Sequence, residues 1–351
     1  MGRVLFVVIA AVAGFLAYLL FWPTGIEPVA WQPPANPGYN GPYHSNTALS
    51  AVERLGDWPG PEDIAVDAEG RVYTGLADGR VISIDADGNV DQLADTGGRP
   101  IGIALGPDRT VYVADALKGL LAIRPNRELA VLSTEAGGIP YRFADGIDVG
   151  PDGTVYFTDA SSKYGLYQVN EDIVEHGGHG RLLAYDPARD ETRTLLNGLN
   201  FANGVVLGPE GHYLLVVETG SYRVLRYWLH GPEAGSSEVF VDNLPGFPDN
   251  ISFNGRDRFW LALFAPRNAV VDALGPYPLL RGALLRLPEA VKPAPAHHAH
   301  VVGLSLNGEV VASLQDDAPD AYAPITAAEE REGRLILGSL EHPGIGQIRL
   351  R

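Results

Sequence analysis

The sequence predicts an all-β fold, a six-bladed β-propeller, behind an N-terminal transmembrane anchor helix. Three observations support this prediction: one long apolar run at the N-terminus, a β-rich repeat with six copies, and turn residues throughout. The chain has 351 residues, including 42 glycines and 27 prolines. Short strands that recur at a period of roughly 40–50 residues are typical of propeller blades.

The first predicted element is a transmembrane signal anchor over residues 1–22. Val4 to Trp22 is an apolar stretch of 19 residues between Arg3 and Pro23, close to the length that crosses a bilayer as a helix. A cleaved signal peptide is the alternative, but no small-residue cleavage site follows, and Trp22 is typical of an interfacial anchor. With Arg3 on the inside, the rest of the chain lies on the extracytoplasmic side of the membrane.

A proline-rich tether is predicted over residues 23–46, because six prolines fall within this segment. Such segments are extended and semi-rigid, so we expect the tether to lift the propeller, residues 47–351, off the membrane. The net charge of −17 argues against a nucleic-acid partner. The absence of cysteine excludes disulfides, thiolate nucleophiles and cysteine-based zinc sites. Nothing in the composition specifies an oligomeric state.

Each copy of the repeat has a polar residue, a short apolar strand, a turn and a second strand. The copies begin at Glu62, Ile101, Asp145, Asn203, Asp249 and Ile325. Their unequal spacing predicts insertions in blade 3, from Tyr164 to Gly180, and between blades 5 and 6. The run Ala48 to Leu55 is expected to close the ring with the C-terminal blade, since closure protects the sheet edges.

The first residue of each copy is predicted to lie at the mouth of the central channel. The innermost strand of every blade lines this channel, so pseudo-symmetry gathers Glu62, Asp145, Asn203 and Asp249, with Asn250 beside the last. Three carboxylates held together repel one another unless they take up protons or a cation neutralises them. Oxygen ligands suit Ca²⁺, or another divalent cation such as Mg²⁺, Mn²⁺ or Zn²⁺. The alternative is that these residues only form turns.

Motifs in several blades strengthen the prediction. They are Gly60-Pro61-Glu62-Asp63, Tyr156 to Lys163, Gly180 to Asp186, Phe201 to Val205, Leu244 to Ile251, and Glu330 to Gly333 with Leu337-Gly338-Ser339. From about residue 48 to 351 the chain resembles the strictosidine synthase-like branch of the calcium-dependent six-bladed propeller superfamily, which also contains gluconolactonases and paraoxonases. The anchor is similar to that of the animal adipocyte plasma membrane-associated proteins in this branch.

The resemblance implies a divalent metal, usually Ca²⁺, at the channel mouth. The implied ligands are Glu62, Asp145, Asn203, Asp249 and Asn250, with Glu62, Asn203 and Asp249 as the minimal set. Asp145 stands where an asparagine is common. Thr326 stands where true strictosidine synthases carry a glutamate, which disfavours condensation of an amine with an aldehyde. The second blade lacks the histidine pair of the paraoxonases.

The preferred functional hypothesis is metal-dependent hydrolysis of a small ester or lactone. The catalytic candidates are Asp249, which can hold metal and contact water, Asp115 at the end of a second strand, and His342 after the second strand of blade 6. Their alternative roles are pure ligation, a turn cap and an ordinary loop residue. A non-catalytic binding or scaffold propeller with a structural calcium is the rival class, and a strictosidine synthase-type condensing lyase is the third.

Two histidine-rich segments invite a metal or catalytic interpretation. His176 and His179 lie in the blade 3 insertion, which we expect to be a mobile surface loop, although it could act as a lid or supply a base. His297-His298-Ala299-His300 looks like a metal cluster, but it follows Pro293 and Pro295 and is expected to form an exposed loop.

Overall fold

The computed structural model describes residues 2–350 and contains six four-stranded antiparallel sheets. The predicted six-bladed propeller is confirmed. Met1 and Arg351, the outer ends of the predicted anchor and propeller, lie outside the described residues. The first element is the helix α1 (Gly2–Phe21), none of whose residues is buried in the protein. It is long and apolar enough to cross a membrane, a property that a signal sequence shares.

Blades 1 to 5 are each built from four consecutive strands, after a first strand β1 (Glu53–Leu55). Blade 1 contains β2 (Ile64–Val66), β3 (Val72–Gly75), β4 (Arg80–Ile84) and β5 (Val90–Asp95). Blade 2 contains β6 (Pro100–Leu105), β7 (Val111–Asp115), β8 (Gly119–Ile123) and β9 (Leu129–Ser133). A small hairpin follows, formed by β10 (Glu135–Ala136) and β11 (Ile139–Pro140).

The next three blades repeat the pattern with longer connections. Blade 3 contains β12 (Ala144–Val149), β13 (Val155–Asp159), β14 (Gly180–Asp186) and β15 (Glu191–Leu199). Blade 4 contains β16 (Ala202–Leu207), β17 (Tyr213–Glu218), β18 (Arg223–Trp228) and β19 (Ser237–Val241). Blade 5 contains β20 (Gly246–Phe253), β21 (Arg258–Pro266), β22 (Ala299–Ser305) and β23 (Val310–Asp316).

Blade 6 closes the ring with a strand from each end of the propeller. It contains β24 (Ala327–Arg331), β25 (Arg334–Gly338), β26 (Ile345–Arg349) and, outermost, β1. Glu53 lies opposite Gln347 and Leu55 opposite Ile345 in antiparallel register. The expected closure by the run Ala48 to Leu55 is therefore confirmed.

Helical insertions interrupt two blades between their second and third strands. Blade 3 carries α2 (Val169–Glu175), and blade 5 carries α3 (Ala269–Leu274) and α4 (Pro278–Leu284). The second insertion was expected between blades 5 and 6, which is wrong, because repeat spacing gives only the total length between two copies. Short 3₁₀ turns cover Gly41–Tyr43, Leu166–Gln168, Pro209–Gly211, Thr219–Ser221 and Glu289–Val291.

The apolar core lies between neighbouring blades. Leu215 of blade 4 packs in one cluster with Leu261 of blade 5. Trp260 of blade 5 is fully buried in the next cluster with Leu337 of blade 6. Because each blade packs against its neighbours through both faces, the inner ends of the blades are free to carry polar residues.

Part of the proline-rich segment lies against the propeller. The backbone N–H of Val29 donates to the Glu175 carbonyl over 2.8 Å, and that of Trp31 donates to the Gly275 carbonyl over 3.1 Å. Arg281 Nη1 donates to the Val29 carbonyl over 2.8 Å. Both insertions thus supply partners for backbone groups of this segment, and the expectation that the segment lifts the propeller off the membrane stays a prediction.

Candidate metal centre

The inner strands of blades 3, 4 and 5 leave their regular pairing at the residues predicted to face the axis. The register shifts lie within 144–147, 202–205 and 248–251. A β-bulge of this kind bends the strand and redirects a side chain. Asp145, Asn203 and Asp249 each occupy such a bulge, so the same local distortion positions all three.

Glycines beside these residues allow the inner strands to approach closely. A Cβ atom on Gly146 would lie 2.6 Å from the Cα of Gly204, and one on Gly204 would lie 2.7 Å from the Cα of Asn250. Contacts this short leave no room for a side chain. The backbones of blades 3, 4 and 5 are therefore packed one against the next around the mouth.

Five predicted ligand residues are buried at this mouth, and none is more than 6% exposed: Glu62, Asp145, Asn203, Asp249 and Asn250. Three of their oxygen atoms have no hydrogen-bond partner, namely Glu62 Oε2, Asn203 Oδ1 and Asp249 Oδ1. A buried acceptor without a partner is costly. These oxygens therefore match what a divalent cation of the calcium or magnesium type requires.

The ligand set includes amides as well as carboxylates. Between residues 2 and 350, no three aspartate, glutamate or histidine side chains are gathered tightly enough to form a metal cluster by themselves. The oxygen of Asn203 would thus be needed beside Glu62 and Asp249. Carboxylate and amide oxygens together are a common donor set for Ca²⁺, so the residues fit the implied ion.

The three carboxylates at the mouth disfavour one another's ionisation. Burial, then the charges of Asp249 and Asp145, raise the pKa of Glu62 well above its ordinary value. Burial and the charge of Asp249 do the same for the pKa of Asp145. Burial raises the pKa of Asp249 to about 8, although a hydrogen bond with Asn203 acts in the opposite direction. A cation among them would favour the charged forms.

Buried threonines fix the backbone that carries these side chains. Thr326 Oγ1 donates to the Glu62 carbonyl over 2.7 Å, and Thr158 Oγ1 donates to the Asn203 carbonyl over 2.7 Å. Thr219 Oγ1 donates to the Pro248 carbonyl over 2.6 Å. Thr326 therefore fixes the backbone at Glu62. The sequence analysis did not identify this use of threonine, since the hydroxyls reach residues distant in the chain.

A partly open cavity of about 300 Å³ lies between the inner strands of the blades and has more carboxylates on its wall. Burial raises the pKa of Asp63 to about 7, of Asp148 to about 6 and of Glu329 to about 8. Asp63 and Asp148 each accept hydrogen bonds from backbone amides of a neighbouring blade. The sequence analysis did not select these three as site residues. Their signal was an acidic residue in or next to an inner strand of a blade.

Asp115 forms a turn cap near the mouth. Its Oδ1 accepts hydrogen bonds from the backbone N–H groups of Arg99, Leu117 and Lys118, over 2.9–3.0 Å. Its Oδ2 is buried without a partner. Arg99 connects Asp115 to the site, because its guanidinium donates to the Gly60 carbonyl and its charge lowers the pKa of Glu62. The catalytic role of Asp115 stays a prediction.

His342 lies in the loop between β25 and β26. Its backbone N–H donates to Ser339 Oγ over 2.9 Å, its Nδ1 lies 3.1 Å from the Pro343 carbonyl oxygen, and its ring packs 4.6 Å from that of Tyr322. The ring is only half-buried. The described contacts hold His342 within its own blade, and its role as a base stays a prediction.

The other histidine segments differ from their expectations. His176 stacks on Trp31 with ring centroids 4.0 Å apart, and His179 Nε2 lies 2.6 Å from Glu175 Oε1, so the blade 3 insertion is held in place. His297 is exposed as expected, but His300 is fully buried on β22. The expectation of a wholly exposed loop is wrong, because strand β22 begins at Ala299 and turns His300 inward.

Comparison with solved structures defines the class of protein. The chain is similar to a gluconolactonase of Xanthomonas campestris with a TM-score of 0.60 and 15% identity, over 93% of this chain and 97% of that one. It is also similar to the calcium-binding protein regucalcin of Agrobacterium tumefaciens, with a TM-score of 0.58 and 14% identity, over 85% and 93%. The fold is thus that of the gluconolactonase-like six-bladed propellers.

Sequence comparison places the chain more narrowly. The family model for strictosidine synthase matches residues 145–232, and that for the N-terminal part of strictosidine synthase-like proteins matches residues 41–84. STRICTOSIDINE SYNTHASE-LIKE 6 of Arabidopsis thaliana is 37% identical over 83% of this chain and 79% of its own length. The adipocyte plasma membrane-associated protein of Bos taurus is 34% identical over 99% and 92%. The chain belongs to the strictosidine synthase-like family.

Proposed function

We propose that this protein is a divalent-metal-dependent hydrolase of small esters or lactones. The observation that supports the proposal is the group of partnerless oxygens of Glu62, Asn203 and Asp249 at the channel mouth. A bound cation, Ca²⁺ by preference, supplies Lewis acidity toward a substrate carbonyl and stabilises negative charge on its oxygen. Similarity to a gluconolactonase and to a calcium-binding propeller agrees with this proposal.

The five residues at the mouth have different roles in binding the cation. Glu62, Asn203 and Asp249 hold the cation, and Asp145 and Asn250 complete the set. Asp249 would also orient a water molecule beside the cation, because its Oδ1 accepts no hydrogen bond from the protein. Burial raises the pKa of Asp249 to about 8 in the metal-free site, and a bound cation would lower it and favour the carboxylate, the form that can accept a proton from water. Asp115 and His342 are the further candidates for activating water.

Membrane attachment is the second part of the proposal. We infer that α1 is an uncleaved single-pass anchor that holds the propeller on the extracytoplasmic side. Residues 2–18 are exposed and available to lipid. The C-terminal end of the helix contacts the blade 5 insertion, where Arg286 Nη1 donates to the Leu19 carbonyl over 2.5 Å. A cleaved signal peptide would have no need of this contact.

The decisive experiment uses the full chain in detergent micelles. We expect one tightly held divalent ion per chain and hydrolysis of phenyl acetate or a simple lactone that stops with chelator and returns with Ca²⁺. Asp249→Asn should lose both the ion and the activity, while Asp87→Asn, an exposed turn residue, should retain both. Retention of the ion by Asp249→Asn would show that the site lies elsewhere.

The scaffold alternative predicts a different pair of results. If the cation only stabilises the ring, chelation lowers the melting temperature and no ester or lactone is hydrolysed. The hydrogen bond from Asn250 to Glu62, which joins blade 5 to blade 1, is the feature that favours such a role. Amine–aldehyde condensation is disfavoured, because Thr326 is buried and its hydroxyl is committed to the Glu62 carbonyl.

A further inference from the structure

A second group of buried atoms without hydrogen-bond partners lies in blade 5, on β22, on β23 and on His298, the residue that immediately precedes β22. His298 Nε2, His300 Nδ1 and Gln315 Oε1 are all buried and have no hydrogen-bond partner. His300 and Gln315 are each 0% exposed. Three buried polar atoms in one neighbourhood without a hydrogen-bond partner are as costly as those at the mouth.

Strand geometry places these side chains on one face. His298 immediately precedes β22, and its ring and that of His300 both pack against Tyr39, with ring centroids 4.8 and 5.6 Å from the tyrosine. His300 lies directly opposite Gln315 in the antiparallel pair of β22 and β23. All three side chains therefore share the face that the segment containing Tyr39 and Tyr43 covers.

The separation of the two imidazoles suits a shared metal ion. Their ring centroids are 5.7 Å apart and their planes are inclined by 85°. Two imidazoles on one tetrahedral ion, at metal–nitrogen distances of about 2.0–2.1 Å, would have centroids about 5–6 Å apart. The observed pair thus needs little movement to chelate.

Neighbouring residues already fix the orientation of these donors. His300 Nε2 lies 3.0 Å from Ser313 Oγ, which leaves Nδ1 as the free nitrogen. Gln315 Nε2 donates to Ser313 Oγ over 2.8 Å and to the Tyr43 carbonyl over 3.0 Å, so Oε1 is turned away from both. Partners that orient a ligand from behind are a regular feature of metal sites.

Gln315 also lies close to His298. Their interaction raises the pKa of His298, yet burial is the larger effect and the pKa is lowered overall. Despite this proximity, neither His298 Nε2 nor Gln315 Oε1 has a hydrogen bond of acceptable geometry. The exposed Asp317 is a charged neighbour of His298 and offers a carboxylate at the open side.

We propose that His298, His300 and Gln315 form a second metal site, for a divalent transition-metal ion of the zinc class. Imidazole nitrogens suit zinc and its neighbours, whereas the oxygen-only set at the mouth suits harder ions. The Gln315 side chain donates a hydrogen bond to the Tyr43 carbonyl. Its backbone carbonyl accepts one from the Leu49 N–H, and its backbone N–H donates one to Asn46 Oδ1. An ion at this site would consequently hold residues 39–49 against blade 5. The proposal does not depend on the proposed hydrolase activity.

The test measures Zn²⁺ binding to the full chain in detergent after removal of metals, by competition with a chromophoric zinc indicator. We expect one high-affinity ion in the wild type, at least about tenfold weaker binding in His298→Ala and His300→Ala, and no change in His297→Ala. His297 is the matched control, because it is adjacent and exposed. Asp249→Asn should leave this zinc binding unchanged.

Two further measurements keep the test decisive. Substitution of Co²⁺ should give the absorption of a low-coordinate, nitrogen-ligated ion that is lost in His298→Ala. His298 is only half-buried, so this variant should keep the metal-free melting temperature of the wild type even if His300→Ala unfolds. Equal loss of zinc in His297→Ala and His298→Ala, loss in Asp249→Asn, or no tight zinc binding in the wild type overturns the proposal.

Discussion

The side-chain amide of Asn250 donates a hydrogen bond to Glu62 Oε1 over 3.1 Å, although the two residues are 188 positions apart in the chain. This bond joins blade 5 to blade 1 across the channel mouth. It satisfies one oxygen of Glu62 and leaves the other, Oε2, without a partner. Asn250 therefore orients Glu62 as well as standing beside it.

Removal of this amide should loosen the mouth. We expect Asn250→Ala to lower the free energy of unfolding by about 1–3 kcal/mol, because a buried carboxyl oxygen loses its donor. Cation affinity should fall together with stability. Urea unfolding measures the first effect and calorimetric titration with Ca²⁺ the second. Asn307→Ala, at an exposed turn, is the control, and equal stability of both variants would contradict the orienting role.

The metal-free protein should lose stability as the pH rises. Asp63, Glu329 and Asp249 have pKa values of about 7, 8 and 8 in the folded state, all above those of the unfolded chain. The folded state thus binds these protons more tightly, and the stability they contribute is complete below about pH 4 and lost as the pH passes 7–8.

We expect the melting temperature of chelator-treated protein to fall between about pH 5 and pH 9, since these protons leave over that range. Added Ca²⁺ should restore it most at the alkaline end, because a cation replaces the missing protons. Glu329→Gln should show a shallower fall than the wild type. A melting temperature that does not change with pH would mean that these carboxyls titrate normally.

Glu175 holds the blade 3 insertion and the proline-rich segment together. Its carboxylate accepts hydrogen bonds from Lys163 Nζ over 2.7 Å, from the Tyr164 hydroxyl and from the Glu27 backbone N–H over 2.7 Å. Burial opposes its ionisation, but the hydrogen bonds from Lys163 and Tyr164 prevail and lower the pKa of Glu175 to about 2. The stability it contributes is therefore present above about pH 4.5 and lost as the pH falls toward 2.

We expect Glu175→Gln to cost about 1–3 kcal/mol and to expose residues 23–36 to protease. Limited proteolysis followed by mass spectrometry locates the cuts. The control variant Glu210→Gln, with its substitution on an exposed turn, should be cleaved by the protease at the wild-type rate. Protection of residues 23–36 in both variants would show that other contacts suffice.

Gly204 is a position at the mouth where an added methyl group should disturb the packing of the blades. Its Cβ would meet the Cα of Asn250 at 2.7 Å and the backbone nitrogen of Ile251 at 2.7 Å. We expect Gly204→Ala to destabilise the protein by about 1–3 kcal/mol and to weaken Ca²⁺ binding. The control is Gly165→Ala, whose added Cβ would meet only the Arg142 carbonyl oxygen, at 3.5 Å. This variant should behave as wild type in thermal unfolding and in titration with Ca²⁺.

The blades and the mouth could be predicted because pseudo-symmetry converts sequence register into position. Each copy of the repeat begins at the same depth in the ring, so Asp145 and Asn203 could be placed together from their alignment alone. The contacts of the proline-rich segment with the insertions could not be predicted in this way. They join Trp31 to His176 and Arg281 to Val29, and no repeat relates these partners.

The repeat pattern of the sequence also did not predict how deeply single residues are buried. His300 was expected in an exposed loop because prolines precede it, but the strand that begins at Ala299 determines its environment. Asp148 lies on an inner strand and lines the channel cavity, where its Oδ2 accepts a hydrogen bond from the backbone N–H of Leu207 in the next blade. In both cases the neighbouring strand, rather than the local sequence, decides the surroundings of the side chain.

The contacts of residues 29–34 with the insertions have a mechanical consequence. Any pull on the N-terminal helix reaches the hydrogen bonds of Val29, Trp31 and Pro34 before it reaches β1. Since β1 is the strand that closes the ring with β26, these bonds shield the closure from load. With the helix anchored in a bilayer, as proposed, the segment would act as a strain relief, because tension would be absorbed before it could peel the first strand from the last blade.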